Sequence, residues 1–447
     1  MRTMTRRAMR GVGLLCAAAL SLTACGSSDD DTASDKSVSG GDLRSALKEG
    51  GSITVWAWEP TLKTVVKDFE KKYPKVKVKL VNAGTNNDQY TALQNALQAG
   101  SGVPDVAQIE YYAVGQFALG KSLEDLSNYG AGEYKDDYSP GPWNAVTEED
   151  AVYALPMDSG PMALFYNKKV LDKHQIAIPT TWDEYLEAAR ALHTADPKAY
   201  IANDTGDPGF MTSLIWQAGG TPFKNRDTEV TVDLTADKGV ATFTKVWQKL
   251  LDEKLLAPIE NWSDEWYKGL ADGTIATLAT GAWMPANFES GAESASGDWR
   301  AAALPQWKKG QQVSSENGGS SLAVMKDSKS KELAYAFNEY ANHSDGVQAR
   351  LKEGAFPATT ADLSSPSFLD TTFPYFGGQK ANEIFARSAS QVPEDWSYLP
   401  FQVYANSIFK DSVGKAYVSD TTLADGLKAW QEKSVKYGND QGFTVNK

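Results

Sequence analysis

Aromatic rings and carboxylates recur together at the ends of apolar, strand-like runs of this chain. "SITVWAW" is followed by Glu59, and "PDVAQIE" ends in Glu110, Tyr111 and Tyr112. The turn after "TIATLAT" offers Trp283 and Met284, and a late loop offers Trp396 and Tyr398. In open α/β sheets, ligands sit outside the carboxyl ends of the strands, so these positions share one candidate surface. Flat rings pack on the C–H face of a pyranose, and carboxylates accept hydrogen bonds from neighbouring hydroxyls more strongly than neutral groups do. The pairing therefore suits sugar recognition. Glu59, Glu110 and Asp158 are the candidate carboxylates, and Asn317, Gly318 and Gly319 offer amide and backbone donors. The glycines equally suit close packing.

Each residue also has a plainer reading. Trp56 and Trp58 fall on one side of a strand; Trp56, deeper in, is assigned to the core, while Trp58 suits core or ligand equally. Glu59 points the other way and suits solvent as well. Trp182 opens a capped helix and is read as structural, and Trp247 has core spacing within "FTKVWQKLL". Trp262 and Trp266 fit either a cleft wall or a lobe surface.

The same residue types would serve a glycoside hydrolase, which needs two carboxyls about 5 to 10 Å apart. Other chemistries lack their motifs: there is no G-x-S-x-G, H-E-x-x-H or Walker-type loop. His174, His193 and His343 have no ligand spacing, and the only cysteines are Cys16 and Cys25. No metal or cofactor is expected. An adhesin would show repeats or a β-sandwich pattern, and neither is visible.

Composition narrows the class. The 447 residues allow two domains, and 42% hydrophobic with 23% charged residues is globular composition. Net charge is −13 with no basic cluster beyond the first ten residues, which argues against a nucleic-acid partner. Residues 1–24 read as a signal peptide: arginines, then "GVGLLCAAALSL", too short to span a bilayer. "LTAC" resembles a lipobox ending at Cys25, whose acylation would anchor the chain. Arg6 and Arg7 hint weakly at twin-arginine export. Residues 25–49, rich in Ser, Asp and Gly at their start, are expected to be a flexible tether.

The elements that must position the candidates follow from periodicity. "TLKTVVKDFEKKYP" has helical spacing and "KVKVKLV" alternates as a strand. "DQYTALQNALQAG" is a helix closed by Gly100. "MALFYNKKVL", "AAALPQW" and "GGSSLAVM" supply further strands. "TTWDEYLEAARALH" carries a capping box at Thr181 and Glu184, and "KSKELAYAFNEYAN" is an amphipathic helix. Terminal helices are broken at "QVPEDWSYLP". The alternation predicts an α/β fold with a largely parallel sheet.

The order of "ITVWAW", "PDVAQIEYY", "YALPMDSGPMALFYNKKVL", "PTTWDEY", "GAWMPANF" and "NGGSSLAVMKDSKSKELAYAFNEY" resembles the family 1 extracellular solute-binding proteins, the maltose-binding-protein-like receptors of sugar importers. The resemblance implies a type II periplasmic-binding-protein-like fold of two lobes, with three crossings near residues 155–161, 312–318 and 356–363. The first lobe would hold residues 50–157 and 316–360, the second 158–315 and 361–447. Asp158 would then sit at a crossing, and Trp283 matches an aromatic position of the family motif. The implied role is a monomeric, lipid-anchored receptor on the outer face of the cell membrane. It would bind a neutral di- or oligosaccharide and hand it to the membrane permease subunits of an ABC importer, without catalysis.

Overall fold

A computed structural model describes residues 37–148, 150–226 and 228–447. The signal peptide, Cys16, the lipobox with Cys25, and residues 25–36 lie outside the described residues. The remainder of the expected tether is not loose. Gly40–Glu49 is a helix, opened by a capping box in which Ser39 Oγ accepts from Asp42 N and Asp42 accepts from Ser39 N. Leu43 and Leu47, one turn apart, pack on the first-lobe core. The polar run before them concealed this apolar stripe.

The first sheet has the strand order Val76–Val81, Gly51–Trp56, Val106–Glu110, Ser320–Val324, Leu155–Pro156. Its first three strands run parallel, joined through the helices Leu62–Lys72 and Asn87–Ala99. Ser320–Val324 enters antiparallel beside Val106–Glu110. Ile53 and Val55 face the core, where Phe69 meets Phe337 edge-on at 5.2 Å. Gly100 closes its helix in the left-handed conformation.

The second lobe departs from the parallel expectation. Its sheet, Thr277–Gly281, Met162–Asn167, Trp299–Ala303, is antiparallel throughout. Met162–Asn167 is buried at every position. A side-chain period of two is the same in either strand direction, so the pattern carries no direction. The capping box at Thr181 and Glu184 opens Trp182–Ala195, and Trp182, Trp247, Trp299 and Trp430 are buried in the core. A closing strand, Thr444–Asn446, pairs parallel with Glu229–Val232; at three residues it is too short for a periodic signal.

The chain passes between the two sheets after Pro156 and again before Ser320. These two segments lie side by side: Asn317 N donates to Gly160 O and Met157 N to Ser320 O. Near the third passage, Phe356 packs in the second-lobe core and Ala358 in the first. Among the described residues, no helix is long and apolar enough to cross a membrane.

Candidate functional site

A cavity of about 600 Å³ lies between the lobes. One wall is the end of Val106–Glu110 and the start of the helix Tyr111–Leu119. The opposite wall carries Asp204 to Phe210, Trp262 and Trp283, and residues 317–319 form the floor between them.

Glu110 stands where its strand becomes a helix. Its carboxylate accepts from Tyr90 Oη at 3.0 Å, while its main-chain N donates to the same oxygen at 2.8 Å. Burial pushes the Glu110 carboxyl up to about 7, against the pull of the Tyr112 and Tyr90 hydroxyls. It therefore offers both donor and acceptor character near neutral pH. Tyr111 packs against the crossings, its hydroxyl donating to Asp158 O.

The second-lobe wall is a tryptophan surface. Trp283 follows Thr277–Gly281 and donates from Nε1 to Asn317 O at 2.7 Å. Trp262 stacks against it, with centroids 5.8 Å apart and planes at 29°. Trp262 is 52% exposed and holds φ 66, a costly conformation for a bulky residue. Beneath them Trp266 is anchored to Asn203 Oδ1 at 2.9 Å, and Met284 is fully buried. The pair and the first-lobe carboxyl of Glu110 line the same cavity.

Of the expected site residues, Glu110, Tyr111, Trp283, Met284, Asn317, Gly318 and Tyr398 line this cavity. The other four are placed differently. Trp58, partly buried, packs edge-on against Tyr90 at 6.3 Å, on the surface of a first-lobe core cluster. Glu59 accepts from Thr61 Oγ1 at 2.6 Å and Leu62 N at 3.2 Å, capping the start of Leu62–Lys72. Asp158 accepts from Ser320 N at 2.6 Å and binds one crossing to the other; burial raises it to about 6, opposed by Arg350. Trp396 stacks on Trp216 at 5.3 Å and borders a second, smaller cavity of about 320 Å³.

Several lining residues escaped the sequence reading. Asp207 caps the helix Pro208–Gln217, accepting from Phe210 N at 2.7 Å. "DPG" there is a legible helix start, with Pro at the first helical position, and it points the helix entrance at the cavity. Asp204 accepts from Trp247 Nε1 at 2.8 Å. Lys410 lines the rim and pairs with Glu260 at 2.8 Å. Among the described residues, no group of three or more His, Cys, Asp or Glu is placed to hold a metal ion.

Residues 57–347 match the family described as bacterial extracellular solute-binding protein. A solved structure of an ABC-transporter-associated binding protein from B. animalis subsp. lactis, in complex with β-1,6-galactobiose, is 47% identical with TM-score 0.81; the match covers 89% of this chain and 99% of that one. The galacto-N-biose-/lacto-N-biose I-binding protein of Bifidobacterium longum is 26% identical with TM-score 0.77, covering 89% and 99%. The lactose-binding protein of Rhizobium radiobacter is 26% identical over 417 residues, 88% of this chain and 94% of that one. These likenesses give the two-lobe, type II periplasmic-binding-protein fold.

Proposed function

The chain belongs to the bacterial extracellular solute-binding protein family and is a sugar-binding protein of the ABC-transporter kind, and from that premise we propose a lipid-anchored receptor for a neutral di- or oligosaccharide. The anchor would be Cys25, and the partners the permease subunits of an importer. The ligand sits between the Trp262–Trp283 surface and the Glu110 wall, and the lobes close on it about the crossings. A ligand of the β-1,6-galactobiose class is favoured by the 47% identity to a protein solved with that sugar.

The observation that carries the reading is that stacked indoles, carboxyls and an amide line one cavity between the lobes. Neutral ligands are favoured because Glu110, Asp204 and Asp207 line it, while Lys410 is already paired with Glu260. The test is a titration of the lipid-free protein followed by tryptophan fluorescence. We expect dissociation constants near micromolar, about −8 kcal/mol, for at least one of β-1,6-galactobiose, lactose and maltotriose. Silence across the panel would sink the sugar assignment, and release of reducing sugar would favour a glycoside hydrolase.

A further inference from the structure

The second crossing is more than a connector. Asn317 is held at four points. Its main-chain N donates to Gly160 O at 2.8 Å, and Oδ1 accepts from Thr280 Oγ1 at 3.2 Å. Nδ2 donates to Ser213 Oγ at 3.3 Å, and the carbonyl accepts from Trp283 Nε1 at 2.7 Å. Ser213 Oγ in turn donates to Glu316 O at 2.6 Å, so the clamp reaches the preceding residue as well.

The next two residues face rings from opposite walls. Gly318 and Gly319 have φ 77 and 102, both left-handed. A Cβ on Gly318 would lie 3.1 Å from Trp283 Nε1, and one on Gly319 would lie 2.5 Å from Tyr111 Cε2. On the far side, a Cβ on Gly281 would overlap the same indole nitrogen. The polar edge of Trp283 is thus boxed by two glycines and hydrogen-bonded to a clamped carbonyl. These contacts restrict the tilt of its ring.

We propose that residues 317–319 position the Trp283 ring, and that this restricted tilt determines which sugar epimers the cleft accepts; the proposal rests on the sugar-binding reading above. The physical reason is the shape of the ligand. An axial hydroxyl marks one face of a pyranose and leaves the other as a C–H patch. A ring free to tilt follows either epimer, whereas a tethered ring fits one.

The probes are β-1,6-galactobiose and gentiobiose, which share a linkage and differ at C4 of both rings. Wild type is expected to prefer one by roughly tenfold or more. Trp283→Phe keeps a ring and removes the N–H; Asn317→Ala keeps the indole and loosens its acceptor. Each is expected to cut the preference at least about threefold, changing the affinity ratio and not only the affinities. An unchanged ratio in both variants, even with both affinities lowered, would overturn the proposal as a merely structural effect. So would a wild type without preference between the two. If wild type binds neither these nor any other sugar, the functional reading falls and takes this inference with it.

Discussion

Two strands, one in each lobe's sheet, are followed two residues on by a tryptophan, Trp58 and Trp283, and the two are placed differently. After Gly51–Trp56 the chain is caught by Gln108, whose Oε1 accepts from both Trp58 N and Glu59 N at 3.0 Å. That turns Trp58 onto Tyr90 and leaves Glu59 to cap the next helix. After Thr277–Gly281 the catch is the crossing itself: Ala282 N donates to Pro161 O at 3.0 Å, and Trp283 Nε1 donates to Asn317 O. The lesson is that a strand end supplies an address, while the partners met just beyond it, Tyr90 for Trp58 and Asn317 for Trp283, decide whether the side chain borders the cavity.

Substitutions sharpen this contrast. Trp283→Ala should weaken sugar binding more than about tenfold, some 1.4 kcal/mol, with only a modest fall in the thermal midpoint from the lost bond to Asn317 O. Trp58→Ala should do the reverse, costing about 1–2 kcal/mol of stability by urea denaturation and leaving affinity within twofold. If Trp58→Ala abolished binding in a folded protein, the distinction between the two ends would collapse.

Glu110 is the intermediate case, a strand-end carboxyl on the cavity but tethered to Tyr90. Glu110→Gln should weaken binding roughly fivefold, because an ionised acceptor makes stronger bonds to hydroxyls than an amide does. The sign with pH follows. With the carboxyl at about 7, it is largely protonated at pH 6 and ionised at pH 8. Wild-type affinity should therefore rise across that interval, and the variant should lose the rise. The smallest effect is expected for Glu59→Ala, about 0.5–1 kcal/mol of stability from the lost cap and no change in titration with sugar.

Legibility in the sequence was uneven for physical reasons. Helix ends announced themselves through local chemistry, as at Thr181, Glu184 and Gly100. The direction of Met162–Asn167 relative to its neighbours did not, because pairing partners lie more than a hundred residues away and periodicity is blind to direction. The same holds for the site. Glu110, Tyr111 and Trp283 were legible as residues at the carboxyl ends of strands. The tasks of Asp158 and Trp396 depend on partners remote in sequence, Ser320 and Trp216, that no local pattern names. The helix Gly40–Glu49 was obscured by the polar run that precedes it.

Glu316 lies within the second crossing, 2% exposed, accepting from Gly160 N at 2.5 Å and Ser159 Oγ at 3.1 Å. Burial pushes its carboxyl up from 4.5 to about 8. Between those values the folded chain holds a proton that the unfolded chain releases, so folding and protonation are linked. The Glu316 contribution is full below about pH 4.5 and is lost as pH rises toward 8, and Glu110, raised to about 7, with Asp158 and Asp204, each raised to about 6, act in the same direction. A melting series from pH 5 to 8 should fall for wild type and fall less steeply for Glu316→Gln. The segment that joins the lobes thus also carries a proton-linked contribution to folding, one that acid keeps and alkali removes.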